Sequence, residues 1–345
     1  MDKITENLLI WYKENKRDLP WRKTKNPYYI WISEIMLQQT RVETVKVYYE
    51  RFIKRLPTLK DLANIDEDAL LKLWEGLGYY RRVRNMQKTA KLLIEEGKST
   101  LPSTKEDLLK LPGIGEYTAG AILSIAYLKP TVAIDGNVYR ILSRYYMIYN
   151  PISKKSSYVV FEKKMKKILS KEKPDDMVQA FMDLGSSICV PKNPKCKLCP
   201  LKEECKARKK EKQEQFPVKE KQQEKKIEEK NIYLFVYKDK VLIKKRKNTG
   251  LLASMYEFVN DEETMNVLDI ENKLDKQKIP YKTVVEIGES KHVFSHVIWY
   301  MKGYKIELKE PIVLYNAFFV TKKDLKEKYS IPSAFSYYAN YFIKK

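Results

Sequence analysis

No apolar run in the 345 residues is long enough to span a bilayer, and residues 1–20 lack the pattern of a secretory signal. A soluble, cytoplasmic protein is therefore expected. No internal repeat is visible, which argues against a solenoid. Acidic residues are in deficit: 45 Asp+Glu face 67 Lys+Arg, a formal net charge of +22. A field of that sign draws polyanions, and nucleic acid is the partner it suits best. Tyrosine, by contrast, is plentiful at 25 residues, and such rings stack on bases as well as pack in cores. The length allows two domains with full cores.

Cysteine is absent outside one short window. Cys189, Cys196, Cys199 and Cys205 fall within seventeen residues, spaced C-x6-C-x2-C-x5-C. Disulfides are the competing reading, but they belong to oxidising compartments. Four soft thiolates at chelating spacing suit either a zinc ion or a [4Fe–4S] cluster. Zinc sites usually bring two separated C-x2-C pairs, whereas here one pair is flanked by single cysteines at unequal distances. The spacing leans towards iron–sulfur.

The periodicity divides the chain. Residues 1–205 read as helical: Glu67–Trp74, Lys105–Leu111 and Tyr117–Tyr127 repeat apolar residues every three to four positions. Ser103-Thr104-Lys105-Glu106 reads as a capping box. Residues 206–230 turn to Lys, Glu and Gln and read as a charged linker, with Phe216 as a possible anchor to one domain. From 231 to 345 strand signals take over. Ile232–Tyr237 and Val241–Lys245 flank a polar turn, His292–Lys302 and Ala317–Val320 are β-prone, and Lys322–Tyr329 and Ala334–Phe342 look helical. The second domain is expected to be α+β.

Leu111-Pro112-Gly113-Ile114-Gly115 lies between two helical stretches. Glycines around one apolar residue permit a tight turn whose N–H groups face outward at the next helix start, an anion site suited to a DNA phosphate. An equally plain reading is an ordinary helix–helix turn. Asp135, before Gly136 and Asn137, reads locally as a helix cap.

Taken together, the hairpin, an Asp about twenty residues beyond it and the four-cysteine run resemble the endonuclease III superfamily of DNA glycosylases, and within it the MutY-type adenine glycosylases. Trp31–Val45, Gly76–Arg82, Leu111–Tyr127 and Ala133–Arg144 carry the likeness in the helical half; Gly250–Phe258 and Phe294-Ser295-His296 carry a looser one in the second. The fold it implies is a mainly α helix–hairpin–helix domain with an iron–sulfur loop, followed by a Nudix-like α+β domain that reads 8-oxoguanine. The implied activity is hydrolytic excision of adenine paired with 8-oxoguanine or guanine in double-stranded DNA, by a nucleoid-associated monomer carrying a [4Fe–4S] cluster on Cys189, Cys196, Cys199 and Cys205.

The resemblance also implies roles. Glu34 is the acid that protonates adenine N7, and its setting among Trp31, Ile32, Ile35, Met36 and Leu37 favours a buried, proton-retaining carboxyl. Asp135 is the carboxylate facing C1′, with Tyr117 and Asn137 orienting the reacting groups. Arg17, Trp21, Arg22, Leu37 and Gln179 are expected in the adenine pocket. Gln39, Leu77 and Tyr79 are expected to enter the duplex, with Leu77 on an exposed loop tip, while Gly113 and Gly115 meet phosphate. Phe294, Ser295 and His296 are expected to inspect the opposite base.

Some features depart from the pattern. Tyr117 stands where glycosylases that also cut the backbone carry Lys, so no Schiff base is expected there. No R-E-x-x-E-E box accompanies the Nudix-like half, which argues against pyrophosphohydrolase activity. Tyr256 replaces the Trp usual in that strand. The alternatives are a bifunctional glycosylase/lyase of endonuclease III type, opposed by Tyr117 and the second domain, and a non-catalytic DNA-binding module, opposed by Glu34 and Asp135.

Overall fold

A computed structural model describes residues 2–220, 224–263 and 265–344. The chain folds as two compact units: Met1–Asn64 with Arg84–Lys221, and Ile65–Val83 with Gln222–Lys345. Helices α1 (Lys3–Asn15), α2 (Pro27–Leu37), α3 (Val42–Arg55) and α4 (Leu59–Asn64) open the first unit. Helix α5 (Glu67–Trp74) belongs to the second, and α6 (Arg81–Glu95) runs from the second into the first. The first unit continues with α7 (Lys105–Leu109), α8 (Glu116–Ile125), α9 (Gly136–Tyr146), α10 (Tyr158–Ile168), α11 (Pro174–Ser187) and α12 (Lys206–Lys209). Among the described residues, no helix is long and apolar enough to cross a membrane.

Helix α2 starts where Asn26 caps the Tyr28 N–H and Pro27 presets the first turn. Its residues are apolar almost all round, so Ile30 through Met36 are buried on every side. Helices α1, α9, α10 and α11 close around Leu8, Ile141, Phe161, Phe181 and Leu184. Burying each of these side chains contributes about 2 kcal/mol, and truncating Phe181 to Ala would cost on the order of 3–5 kcal/mol. Helix α7 is capped one residue later than the sequence suggests. The Thr104 hydroxyl, not that of Ser103, accepts the Asp107 N–H at 3.3 Å and donates to the Asp107 carboxylate at 2.7 Å. Thr104 carries the extended backbone that an N-cap needs.

The second unit is built on a mixed sheet of β1 (Lys226–Tyr237), β2 (Lys240–Lys245), β3 (Tyr256–Asp261), β4 (Tyr281–Val293), β5 (Val297–Leu308) and β6 (Ala317–Thr321). The strand order is β4-β5-β1-β3-β2-β6. The expected hairpin forms, with Val236 opposite Val241 across a turn at Lys238 and Asp239. Strand β1 nevertheless pairs along most of its length with β5, in parallel. Alternation divides the strands between two cores. Ile232, Leu234, Val236 and Phe258 meet α14 (Lys322–Glu327) and α15 (Ser336–Lys344) through Leu325 and Tyr338, with Phe335 in the turn just before α15. Tyr233, Phe235 and Ile306 pack on the other face against Ile270 and Leu274 of α13 (Val267–Lys276).

The stretch read as a linker is largely structured. Residues 206–220 stay with the first unit, and β1 already begins at Lys226. Phe216 is 2% exposed, edge-on to Tyr149 at 5.0 Å, while the Ile152 N–H donates to the Val218 carbonyl at 3.0 Å. Its high charge disguises one buried aromatic and one short backbone pairing, which tie it to the first unit together with the Arg144 bonds to the Gln213 and Phe216 carbonyls.

Candidate active site and cysteine loop

A cavity of about 1300 Å³ opens in the first unit. It exceeds the roughly 300–1000 Å³ usual for small ligands, in keeping with a polymer substrate. Arg17, Trp21, Arg22, Glu34, Leu37, Gln39, Gly113, Gly115, Tyr117, Asp135, Asn137 and Gln179 all line it. The catalytic, adenine-pocket and hairpin candidates, distant in sequence, thus meet in one place, joined by Gln39 of the set expected to enter the duplex.

Glu34 projects from α2 and is 3% exposed. Burial in the apolar shell of that helix pushes its carboxyl up to about 7, reinforced by the charge of Asp135 and opposed by the Tyr117 hydroxyl and Arg22. The Tyr117 hydroxyl, from the first turn of α8, donates to Glu34 Oε2 at 2.5 Å. Burial first, and then the Glu34 and Asp135 charges, raise the Tyr117 phenol well above its ordinary value, so it remains a donor.

Asp135 caps α9, accepting the Val138 N–H at 2.8 Å on Oδ1 and the Asn137 side-chain amide at 2.7 Å on Oδ2. Burial raises its pKa, against the pull of these donors and of Arg140. Both the cap reading and the functional reading are therefore compatible with one geometry. Asn137 is fixed in turn by Arg140, which donates to its Oδ1 at 2.8 Å and to the Gly185 and Cys189 carbonyls at 2.7 and 2.6 Å. Gly185 lets α11 approach this closely, since a Cβ there would stand 2.4 Å from that of Asn137.

Sequence reasoning missed Asp183, one turn after Gln179 on α11. It is 1% exposed and takes Arg22 in a two-point grip, Nη1 to Oδ2 at 2.7 Å and Nη2 to Oδ1 at 2.9 Å. It also accepts from Arg17 Nε at 2.6 Å. The available signal was an acid on the buried face of an amphipathic helix, which requires cationic partners. Trp21 stacks edge-on against Tyr49 at 5.4 Å, and Gln179 accepts the Tyr12 hydroxyl at 3.3 Å.

The hairpin between α7 and α8 holds Gly113 at φ +81, where a Cβ would lie 2.8 Å from that of Asn85. Ile114 is buried beneath it. Gly115 caps α8 without a side-chain hydrogen bond, leaving the helix's first N–H groups at the cavity rim.

The remaining candidates lie in the second unit. Tyr79, at φ +48, is 52% exposed. Leu77 is not on an exposed tip: it is 5% exposed, because the positive φ angles of Gly76 and Gly78 fold the loop back over it. Phe294, Ser295 and His296 form the turn between β4 and β5. Phe294 packs edge-on to Trp299 at 4.7 Å, while Ser295 Oγ and His296 Nδ1 sit 3.2 Å apart on the exposed side.

The four cysteines follow α11 and form no disulfide. Cys189, Cys199 and Cys205 pack against the helical core. Burial pushes the Cys199 thiol up to about 12, with the three other sulfurs adding to the shift through their charges. Burial likewise raises Cys196 and Cys205. Thiols that burial keeps protonated, as at Cys196, Cys199 and Cys205, would ionise only beside a cationic centre. Among the described residues, no three His, Cys, Asp or Glu converge on a site for a single metal ion. Arg144, 2% exposed, secures the loop: it donates to the Val190 and Pro191 carbonyls at 2.8 Å each, to the Gln213 carbonyl at 2.7 Å and to Cys189 Sγ at 3.4 Å.

Comparison with known proteins places this geometry. Residues 32–171 match the model of the HhH-GPD superfamily of base excision DNA repair proteins, and residues 231–340 match a NUDIX domain. An adenine DNA glycosylase of Buchnera aphidicola subsp. Baizongia pistaciae is 39% identical over 300 residues, covering 86% of this chain and 84% of that protein. The chain belongs to the adenine DNA glycosylase family. A human adenine DNA glycosylase is 42% identical over 219 residues, 61% of this chain and 40% of the human one. Among solved structures, a thermostable thymine-DNA glycosylase superposes with a TM-score of 0.56 at 26% identity, covering 60% of this chain and 95% of the other. An endonuclease III–DNA complex, a trapped covalent intermediate, follows at a TM-score of 0.53 and 25% identity, covering 60% and 94%. Membership makes the protein a DNA N-glycosylase of base excision repair, and DNA its substrate. The helical and Nudix-like architecture expected from the sequence is the one found.

Proposed function

We propose that this adenine glycosylase hydrolyses the N-glycosidic bond of adenine paired with 8-oxoguanine, without cutting the strand. The observation that carries the reading is one cavity holding two carboxyl groups in different settings. Glu34 is desolvated and poised near neutrality, whereas Asp135 is held by N–H donors suited to a carboxylate.

The adenine leaves the stack and enters the cavity, where Arg17, Arg22 and Gln179 offer polar contacts and Trp21 and Leu37 an apolar wall. Glu34 gives its proton to N7, so that the base departs as neutral adenine when the C1′–N9 bond breaks. Positive charge then spreads over C1′ and the ring oxygen, opposite the Asp135 carboxylate, which stabilises it or bonds to it. Water supplies the hydroxyl at C1′, and its proton returns to Glu34. Tyr117 holds the Glu34 carboxyl, and Asn137 holds that of Asp135.

Among the described residues lining the cavity there is no lysine, and Tyr117 offers no amine, which supports a monofunctional enzyme. The N–H groups at the start of α8 suit a DNA phosphate. Tyr79 is the exposed ring suited to insertion, with Gln39 at the cavity and Leu77 as its buried base. Ser295 and His296 supply polar contacts for the opposite base. The cysteine loop suits a [4Fe–4S] cluster in a structural role, and the protein is read as acting as a monomer. Single-turnover assays on duplexes with A opposite 8-oxoguanine, A opposite G, and thymine glycol test the reading. Excision is expected to be fastest on the first, slower on the second and absent on the third; excision of thymine glycol with strand cleavage would overturn it.

A further inference from the structure

The family match to the helical domain spans residues 32–171, yet residues 65–83 within it form part of the second compact unit. The reason lies in how α5 is held. At its first turn, Asp68 Oδ2 accepts the Tyr256 hydroxyl at 2.6 Å and Oδ1 accepts from Lys245 at 2.8 Å. At its end, the Glu75 carboxylate accepts the Ile331 N–H at 2.9 Å, and Lys72 donates to the Tyr329 carbonyl at 3.1 Å. Tyr256 is 5% exposed and Ser330 1%, whereas the Lys245 and Asp68 side chains keep 39% and 31% of their surface open, so the Tyr256 end of this contact is the packed one.

The loop that follows α5 has little slack. Trp74 Nε1 donates to the Gly78 carbonyl at 3.0 Å, and Arg82 donates to the Leu77 and Gly78 carbonyls at 3.0 and 3.1 Å. The Arg82 guanidinium also lies over the Trp74 and Tyr79 rings, at 5.3 and 5.6 Å. Tyr79 therefore rides on α5. The strands that grip α5 are continuous with the sheet whose β4–β5 turn carries Ser295 and His296.

We propose that Asp68 and Tyr256 are positioning residues for opposite-base discrimination: by fixing α5 to the sheet, they make Tyr79 and the Ser295–His296 turn one rigid reader of the opposite base. This rests on the proposed role of that turn and of Tyr79. It also gives the Tyr at position 256 a purpose, since its hydroxyl reaches the Asp68 carboxylate.

The test uses the full-length protein with Asp68→Asn, Tyr256→Phe and, as a rescue, Asp68→Glu. The first readout is the ratio of single-turnover rates on A opposite 8-oxoguanine and A opposite G at one salt concentration. The second is the fluorescence of 2-aminopurine placed beside the 8-oxoguanine, which reports insertion of a ring into the stack. Tyr256→Phe removes one hydroxyl and carries the test if Asp68→Asn fails to fold. The ratio is expected to fall about tenfold, the scale of one hydrogen bond to a carboxylate, with the fluorescence change lost, the A·G rate kept and Asp68→Glu partly restoring both. An unchanged ratio, or both rates falling together with thermal stability, would overturn the proposal. A Ser295→Ala, His296→Ala double variant is run alongside. If it leaves the ratio unchanged, the role given to the turn fails by itself, and the fluorescence of the Tyr256→Phe complex still decides whether α5 positions Tyr79.

Discussion

The Tyr117 hydroxyl donates to the Glu34 carboxylate across 2.5 Å, joining α8 to α2 inside the cavity. The bond stabilises the ionised form of Glu34, yet burial outweighs it, and the carboxyl is pushed up to about 7. An acid poised there is half protonated at neutral pH, which is the condition for efficient proton donation.

Excision should accordingly fall as pH rises through about 7, where Glu34 loses its proton. On the acid side it should fall as Asp135 gains one, above the ordinary aspartate range because burial raises that group. Single-turnover rates across pH 4–9 should trace a bell, and Glu34→Gln should remove activity by at least about a hundredfold. A flat profile in the wild-type enzyme would show that Glu34 is not the acid.

The same shift has a consequence for stability. Native Glu34 keeps its proton to about 7, whereas the unfolded side chain releases it near 4.5. The unfolded state therefore binds fewer protons between these values, and stability falls as pH rises through that window, then levels off. Glu34→Gln should remove the penalty, making the inactive variant more stable than wild type at pH 8 by on the order of 3 kcal/mol. Urea unfolding at pH 5 and pH 8 measures it; the gain should nearly vanish below pH 4.5.

Asp135→Asn should cost at least about a hundredfold in excision while leaving lesion binding intact, since an amide keeps the cap on α9 but not the charge facing C1′. Binding titrations beside single-turnover rates separate the two. Equal loss of both would mean that Asp135 only shapes the site.

Borohydride should trap no efficient covalent complex with DNA, and Tyr117→Lys would place an amine beside Glu34 and Asp135, so that trapping appears. Efficient trapping by the unaltered protein would revive the bifunctional alternative.

Much of this site is legible in the sequence, for local reasons. Glu34 sits in an apolar run, so its burial can be read from its neighbours, and Asp135 precedes a Gly-Asn helix start, so its cap can be read as well. What escapes is set by partners far along the chain. Asp183 pairs with Arg17 and Arg22 more than 160 residues away. Arg144 looks like any basic residue on α9 until the loop carbonyls converge on it. The parallel β1–β5 pairing joins Lys226 to Val297 and leaves no local signature. The glycine neighbours of Leu77 suggest an exposed tip in the sequence, whereas in the fold they turn the backbone over it.

Asp183→Asn should test the missed anchor. It leaves two cations beside a neutral amide, so stability should fall by on the order of 3 kcal/mol, and excision should weaken mainly through KM as Arg17 and Arg22 lose their fixed positions. A thermal melt and steady-state kinetics suffice. An unchanged KM would restrict Asp183 to a structural role.

Arg144→Lys should separate charge from geometry at the cysteine loop. Lysine keeps the positive charge but cannot reproduce a planar fork that reaches the Val190, Pro191 and Gln213 carbonyls at once. Without those bonds the loop that bears Cys189 loses its tie to residues 213–216, and the sulfurs lose their common orientation. The variant, purified anaerobically beside wild type, should carry less iron and sulfide per chain and show weaker visible absorption, while its helical circular dichroism persists. The wild-type protein should be yellow-brown, and colourless, active protein with one zinc per chain would remove the [4Fe–4S] assignment. If Arg144→Lys held its full complement of iron, the loop would be fixed by the cluster itself, and the arginine would serve only to dock Phe216.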